Sequence, residues 1–101
     1  TDYVNVWERK ENLAGICITD PFEAAKEALL HLKKEVDITL CIYHGGFECD
    51  LKTGERLQKT TENVGYRICK ELDFDILLTG HQHMSVEGRA VCARNLRGTA
   101  A

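Results

Sequence analysis

An α/β fold with a mainly parallel sheet is what the sequence predicts, and three observations carry that expectation. Short apolar, β-branched runs, "GICIT", "DITLCIYH" and "FDILLTG", alternate with two stretches of helical spacing. Strands separated by helices favour parallel pairing through right-handed crossovers over hairpins. No repeat or low-complexity segment breaks the alternation, and Pro21 is the only proline. With a further run, "GRAVCAR", the expected order is strand, helix, strand, helix, strand, strand.

Each element has its own local warrant. The opening "TDYVNVWERKENLAG" has no periodicity and reads as a long loop, followed by "GICIT" as the first strand. Asp20 is a good N-cap, Pro21 suits the first helical position and Glu23 completes a capping-box spacing, so a helix is expected from about Pro21 to Lys34. Phe22, Ala25, Leu29, Leu32 and Val36 fall on its core side, whereas Glu23, Lys26, Glu27, Lys33 and Lys34 face water. Residues 37 to 44, "DITLCIYH", have the composition of a strand covered on both faces, ending at His44-Gly45-Gly46. "FECDLKTGERLQK" reads as an irregular loop with its turn at Lys52 to Gly54. Helical spacing resumes through Val64, Ile68 and Leu72, with Thr60 or Thr61 as the natural cap. "FDILLTG" is a second short buried strand, and "GRAVCAR" a third after a turn at Glu87-Gly88.

Composition narrows the function. A chain of 101 residues builds one small core, and its 44% hydrophobic and 29% charged content is that of a globular protein. A net charge of -3 offers no clustered positive field for a nucleic acid polymer or an anionic lipid surface. No stretch approaches the roughly 20 apolar residues of a membrane span, and the first residues lack the pattern of a signal peptide. The five cysteines are odd in number and include no C-x-x-C pair, which argues against a disulfide framework or a thiol redox protein. Cys17, Cys41, Cys69 and Cys92 sit in apolar or helical patterns and are expected to be buried as small hydrophobes. Cys49, in a polar loop, is the one thiol expected to be exposed or reactive.

Four histidines are present, and three of them lie at strand ends. His44 follows "DITLCIY", and His81 and His83 follow "FDILLTG". In parallel sheets ligands collect at the carboxyl ends of the strands, so two distant loops would bring these imidazoles to one edge. Neutral imidazole ligates zinc, iron and manganese, and glycine beside each site lets backbone pass close to a metal or phosphate. Loop histidines hydrogen-bonded to backbone are the plainer alternative. His31, in the last turn of the first helix, suits the helix dipole and is not counted as a ligand. Serine catalysis finds no G-x-S-x-G, and neither a dinucleotide nor a P-loop glycine pattern occurs. "HQHM" lacks the third alternating histidine of the histidine-triad hydrolases.

"DITLCIYHGGFECDLKTGE" and "TENVGYRICKELDFDILLTGHQH" together resemble the later half of the catalytic domain of calcineurin-like metallophosphoesterases. They are most similar to the bacterial branch of 5'-nucleotidases and 2',3'-cyclic-nucleotide 2'-phosphodiesterases. Trp7, Glu8, Glu11, Asn12, Leu13 and Gly15 also fit the "W-E-x-x-E-N-L-x-G" that precedes the histidine strand in that branch, so the resemblance spans nearly the whole chain. It implies two sheets packed face to face with helices outside, and two divalent metal ions, zinc, manganese or iron. By position, His44 and His81 would bind one metal and His83 the other. Two such ions would polarise phosphoryl oxygens and acidify a bridging water against a nucleotide phosphoester.

The earlier motifs of that family have no counterpart here: the aspartate and histidine one residue apart, the bridging glycine-aspartate and the asparagine-histidine pair. Residues 1–101 are therefore expected to be a later-half fragment of the catalytic domain, with partial or no metal occupancy and no activity alone. Exposed strands 37 to 43 and 75 to 79 would then drive homo-oligomer formation. Asn63, at the start of "NVGYR", could touch a substrate, although capping or packing explains it as well. A non-catalytic interaction domain with a degenerate metal site is the alternative. Relatives are commonly exported or surface-attached, whereas unpaired cysteines suit a reducing compartment, so localisation stays open.

Overall fold

The structure, a computed structural model, describes residues 2–83 of the 101. It contains helix α1 (Val4–Trp7), a 3-10 turn (Lys10–Leu13), helix α2 (Pro21–Leu32), strand β1 (Leu40–Tyr43), helix α3 (Gly65–Glu71) and strand β2 (Ile76–Thr79). The expected strand "GRAVCAR", the turn before it and Cys92 lie outside the described residues.

Helix α2 starts as its sequence dictates. The Asp20 carboxylate accepts the Glu23 N–H at 2.9 Å, and Pro21 occupies the first turn. It ends at Leu32, two residues before the expected Lys34, and His31 lies exposed in its last turn. Phe22 and Leu29 are its buried positions. The Arg67 guanidinium lies 3.7 Å above the centre of the Phe22 ring, tying α3 to α2 by a cation–π contact.

β1 and β2 pair in parallel, Leu40 opposite Ile76 through Tyr43 opposite Thr79. Their register is set at the entry to the strands by Thr39 and Asp75. The Thr39 N–H and hydroxyl both donate to Asp75 Oδ2, at 2.7 and 2.8 Å, and the Asp75 N–H donates back to the Thr39 hydroxyl oxygen at 3.1 Å. Alternation along the strands then decides the faces. Tyr43 and Leu77 turn inward to join Phe22, Leu29, Phe47, Ile68, Cys69, Leu72 and Phe74 in the core.

Four expectations need correction. "GICIT" is not a strand, for no described segment pairs with it, and Ile16 and Cys17 are exposed instead of buried. The opening residues form α1 and a 3-10 turn instead of a structureless loop. The strands are covered on one face only, with Leu40, Ile42, Ile76 and Leu78 exposed on the other. Helix α3 begins at Gly65, past both Thr60 and Thr61, and no residue adjoining it supplies a side-chain cap. A distant carboxylate does so instead. Buried Glu48 accepts the N–H groups of Tyr66 and Arg67 at 3.0 and 2.9 Å, two of the donors that a helix start leaves without intrahelical partners.

Candidate functional site

Parallel pairing places the carboxyl ends of β1 and β2 side by side, so the residues that follow Tyr43 and Thr79 emerge together. The Gly80 N–H donates to the Gly45 carbonyl at 3.1 Å, extending the ladder one step beyond the strands. His44 and His81 consequently meet, edge to face, with ring centres 5.3 Å apart. Trp7 approaches the same His81 ring at 6.2 Å, and Tyr3 packs edge-on against Trp7 at 5.1 Å. On the inner side Glu62 Oε1 lies 2.7 Å from His81 Nε2.

The two loops are clasped by the residue between the histidines. Gln82 Oε1 accepts the Phe47 N–H at 2.9 Å, and Gln82 Nε2 donates to the Phe47 carbonyl at 3.1 Å. One amide thus pairs with a backbone donor and acceptor together, as a neighbouring strand would. Room for it depends on Gly46, where a Cβ would lie 2.1 Å from Gln82 Cδ. The Gly46 N–H donates to Asn63 Oδ1 at 2.6 Å, and its carbonyl accepts the Gly65 N–H at 2.9 Å. Gly65 has no alternative either, because a Cβ there would sit 2.6 Å from that carbonyl oxygen. His81 and His83 both hold left-handed backbone, at φ 73° and 54°. Such conformations cost non-glycine residues of order 1 kcal/mol each and persist where the surroundings over-determine them.

Of the three predicted histidines, the structure brings two together. His83 is exposed, and the ring pairing is that of His44 with His81. Asn63 is 2% exposed, with its Oδ1 on Gly46 and its Nδ2 donating to Gln58 Oε1 at 2.7 Å, so its amide is engaged in joining loops. The imidazole pair suits a transition metal in kind but not in number. Among the described residues no group of three or more His, Cys, Asp or Glu side chains gathers to hold an ion. Cys49 departs from expectation as well: it is half-buried, and burial, aided by the adjacent Glu48 carboxylate, pushes its thiol up and away from the reactive thiolate.

Sequence reasoning missed Glu62, Gln82 and Glu48. The polar run "TTEN" ahead of an apolar helix was a signal for Glu62, since polar residues at a loop-to-helix junction near a strand-end histidine are placed to reach it. Nothing local marked Gln82 or Glu48.

No protein-family model matches the chain, nor does any curated protein. A solved structure does: that of a candidate 5'-nucleotidase from Staphylococcus aureus in complex with alpha-ketoglutarate, 36% identical over 86% of this chain, with a TM-score of 0.80. The fold is nucleotidase-like. The chain spans 18% of that protein's length, so the likeness concerns one segment of a larger molecule. No helix among the described residues is long and apolar enough to cross a membrane.

Proposed function

We propose that the chain is the later part of a metallophosphoesterase catalytic domain that hydrolyses nucleoside monophosphates or 2',3'-cyclic nucleotides. The observation that carries this reading is the meeting of His44 and His81 at the carboxyl ends of parallel strands, in a segment 36% identical to a candidate 5'-nucleotidase. His44, His81 and His83 would contribute to a centre for two divalent ions, zinc, manganese or iron. Other parts of the protein would complete that centre, and these residues alone would have little or no activity.

The test is a titration of the chain with zinc followed through its histidine ring resonances. Weak binding is expected that perturbs His44 and His81 together and disappears in both His44→Ala and His81→Ala. A response confined to other residues, or none at millimolar zinc, overturns the assignment of the metal to these imidazoles.

A second reading, a non-catalytic interaction domain with a degenerate metal site, draws on the exposed apolar face of Leu40, Ile42, Ile76 and Leu78. Self-association without any histidine response to zinc would favour it.

A further inference from the structure

The contact between Glu62 and His81 joins residues 19 apart in sequence, with side chains 23% and 21% exposed. Both partners are delivered by fixed backbone. The Glu62 carbonyl accepts the Tyr43 hydroxyl at 3.3 Å, and the Val64 N–H donates to that same hydroxyl oxygen at 3.2 Å. Between them Asn63 is held to Gly46, so the segment carrying Glu62 is pinned on either side of it. His81 sits between Gly80, bonded to Gly45, and Gln82, clasped on Phe47. A pair anchored in this way at both ends is a built feature of the site.

We infer that Glu62 is a positioning residue for His81, holding the ring proton on Nε2 and leaving Nδ1 as the electron-pair donor. A carboxylate accepts hydrogen bonds and cannot donate them, so the imidazole nitrogen 2.7 Å away is the one that carries hydrogen. A neutral imidazole has a single N–H, and fixing it on one nitrogen fixes the lone pair on the other. Carboxylates that hold the far nitrogen of a ligating histidine set its tautomer and orientation and raise its basicity as a ligand. The ligand class that Nδ1 then serves is a divalent transition cation, a step that rests on the function proposed above.

The deciding experiment is nitrogen NMR of the His81 ring in the metal-free chain, recorded at a pH where the ring carries a single proton. Nδ1 should resonate as an unprotonated nitrogen and Nε2 as a protonated one. Glu62→Ala should return the ring to a mixture of tautomers, and Glu62→Gln, which keeps an acceptor oxygen, should restore the wild-type pattern. Proton on Nδ1 in the wild type, or an unchanged ring in a folded Glu62→Ala, overturns the assignment. If Glu62→Ala does not fold, the wild-type spectrum alone decides. Zinc affinity is a separate readout, expected to fall about 10- to 100-fold in Glu62→Ala. A wild-type chain that binds no zinc defeats the proposed metal centre and leaves the tautomer to be judged by its own resonances.

Discussion

Asp75 accepts the Thr39 backbone N–H and, on the same oxygen, its hydroxyl. Those bonds, the backbone one foremost, hold its carboxyl below the usual aspartate value, with the Lys33 charge adding to the effect. A carboxyl lowered on folding stabilises the native state above the unfolded value near 4, and that contribution is lost as pH falls through the lower native value. Asp75→Asn should therefore flatten the acid side of a stability profile measured by urea unfolding below about pH 4. Gln82→Ala removes both bonds to Phe47 and leaves a part-buried N–H and carbonyl to find other partners. We expect a loss of about 1–3 kcal/mol and faster hydrogen exchange at the Phe47 amide, with the core amides of α3 protected as before. His44 and His81 were legible in the sequence because each follows an apolar run and is flanked by glycine. Gln82 was not, since its partner lies 35 residues away and nothing in the local pattern points there; for Glu62 the run "TTEN" was the one local signal, and its partner lies 19 residues away.

At the scale of elements, legibility followed the range of the interactions that define each one. Helix α2 was readable because its cap, its first-turn proline and its apolar stripe are all local. Asp20→Ala should cost about 1 kcal/mol, read as a shift of the urea midpoint. Helix α3 was placed too early because its capping carboxylate, Glu48, comes from a loop 18 and 19 residues upstream of the amides it serves. Glu48→Ala leaves two N–H groups at a helix start without that acceptor, and about 1–3 kcal/mol of stability should go with it. Melting monitored at the α3 amides would show fraying there ahead of α2. "GICIT" failed as a strand for the complementary reason: β-propensity describes a fit to a pleated surface, and no described strand offers it one. The loop turn was readable, since Asp50 accepts the N–H groups of Lys52 and Thr53 at 2.7 and 2.9 Å, and Gly54 takes φ 76°.

The whole molecule has a two-sided character that alternation alone could not assign. Helices α2 and α3 cover one face of the two-stranded sheet, while Leu40, Ile42, Ile76 and Leu78 stay 38 to 77% exposed on the other. A period of two says which residues share a face, but a run apolar at every position does not say which face is covered. We expect this surface to make the chain self-associate at micromolar concentration, giving a light-scattering mass above one chain. Ile42→Glu should return the mass toward a single chain, and a wild-type mass of one chain at all concentrations would refute association through this face. The clamp between Thr39 and Asp75 has a further consequence, in time instead of space. Forming it closes 36 residues of chain, and the clasp from Gln82 to Phe47 closes nearly as many, each at an entropic cost that local contacts do not carry. Helix α2 can form early from neighbouring residues, but His44 and His81 cannot meet until these distant ends have found each other. In refolding, the appearance of the paired histidines should lag behind helix formation, making the candidate site a late arrival in the life of each molecule.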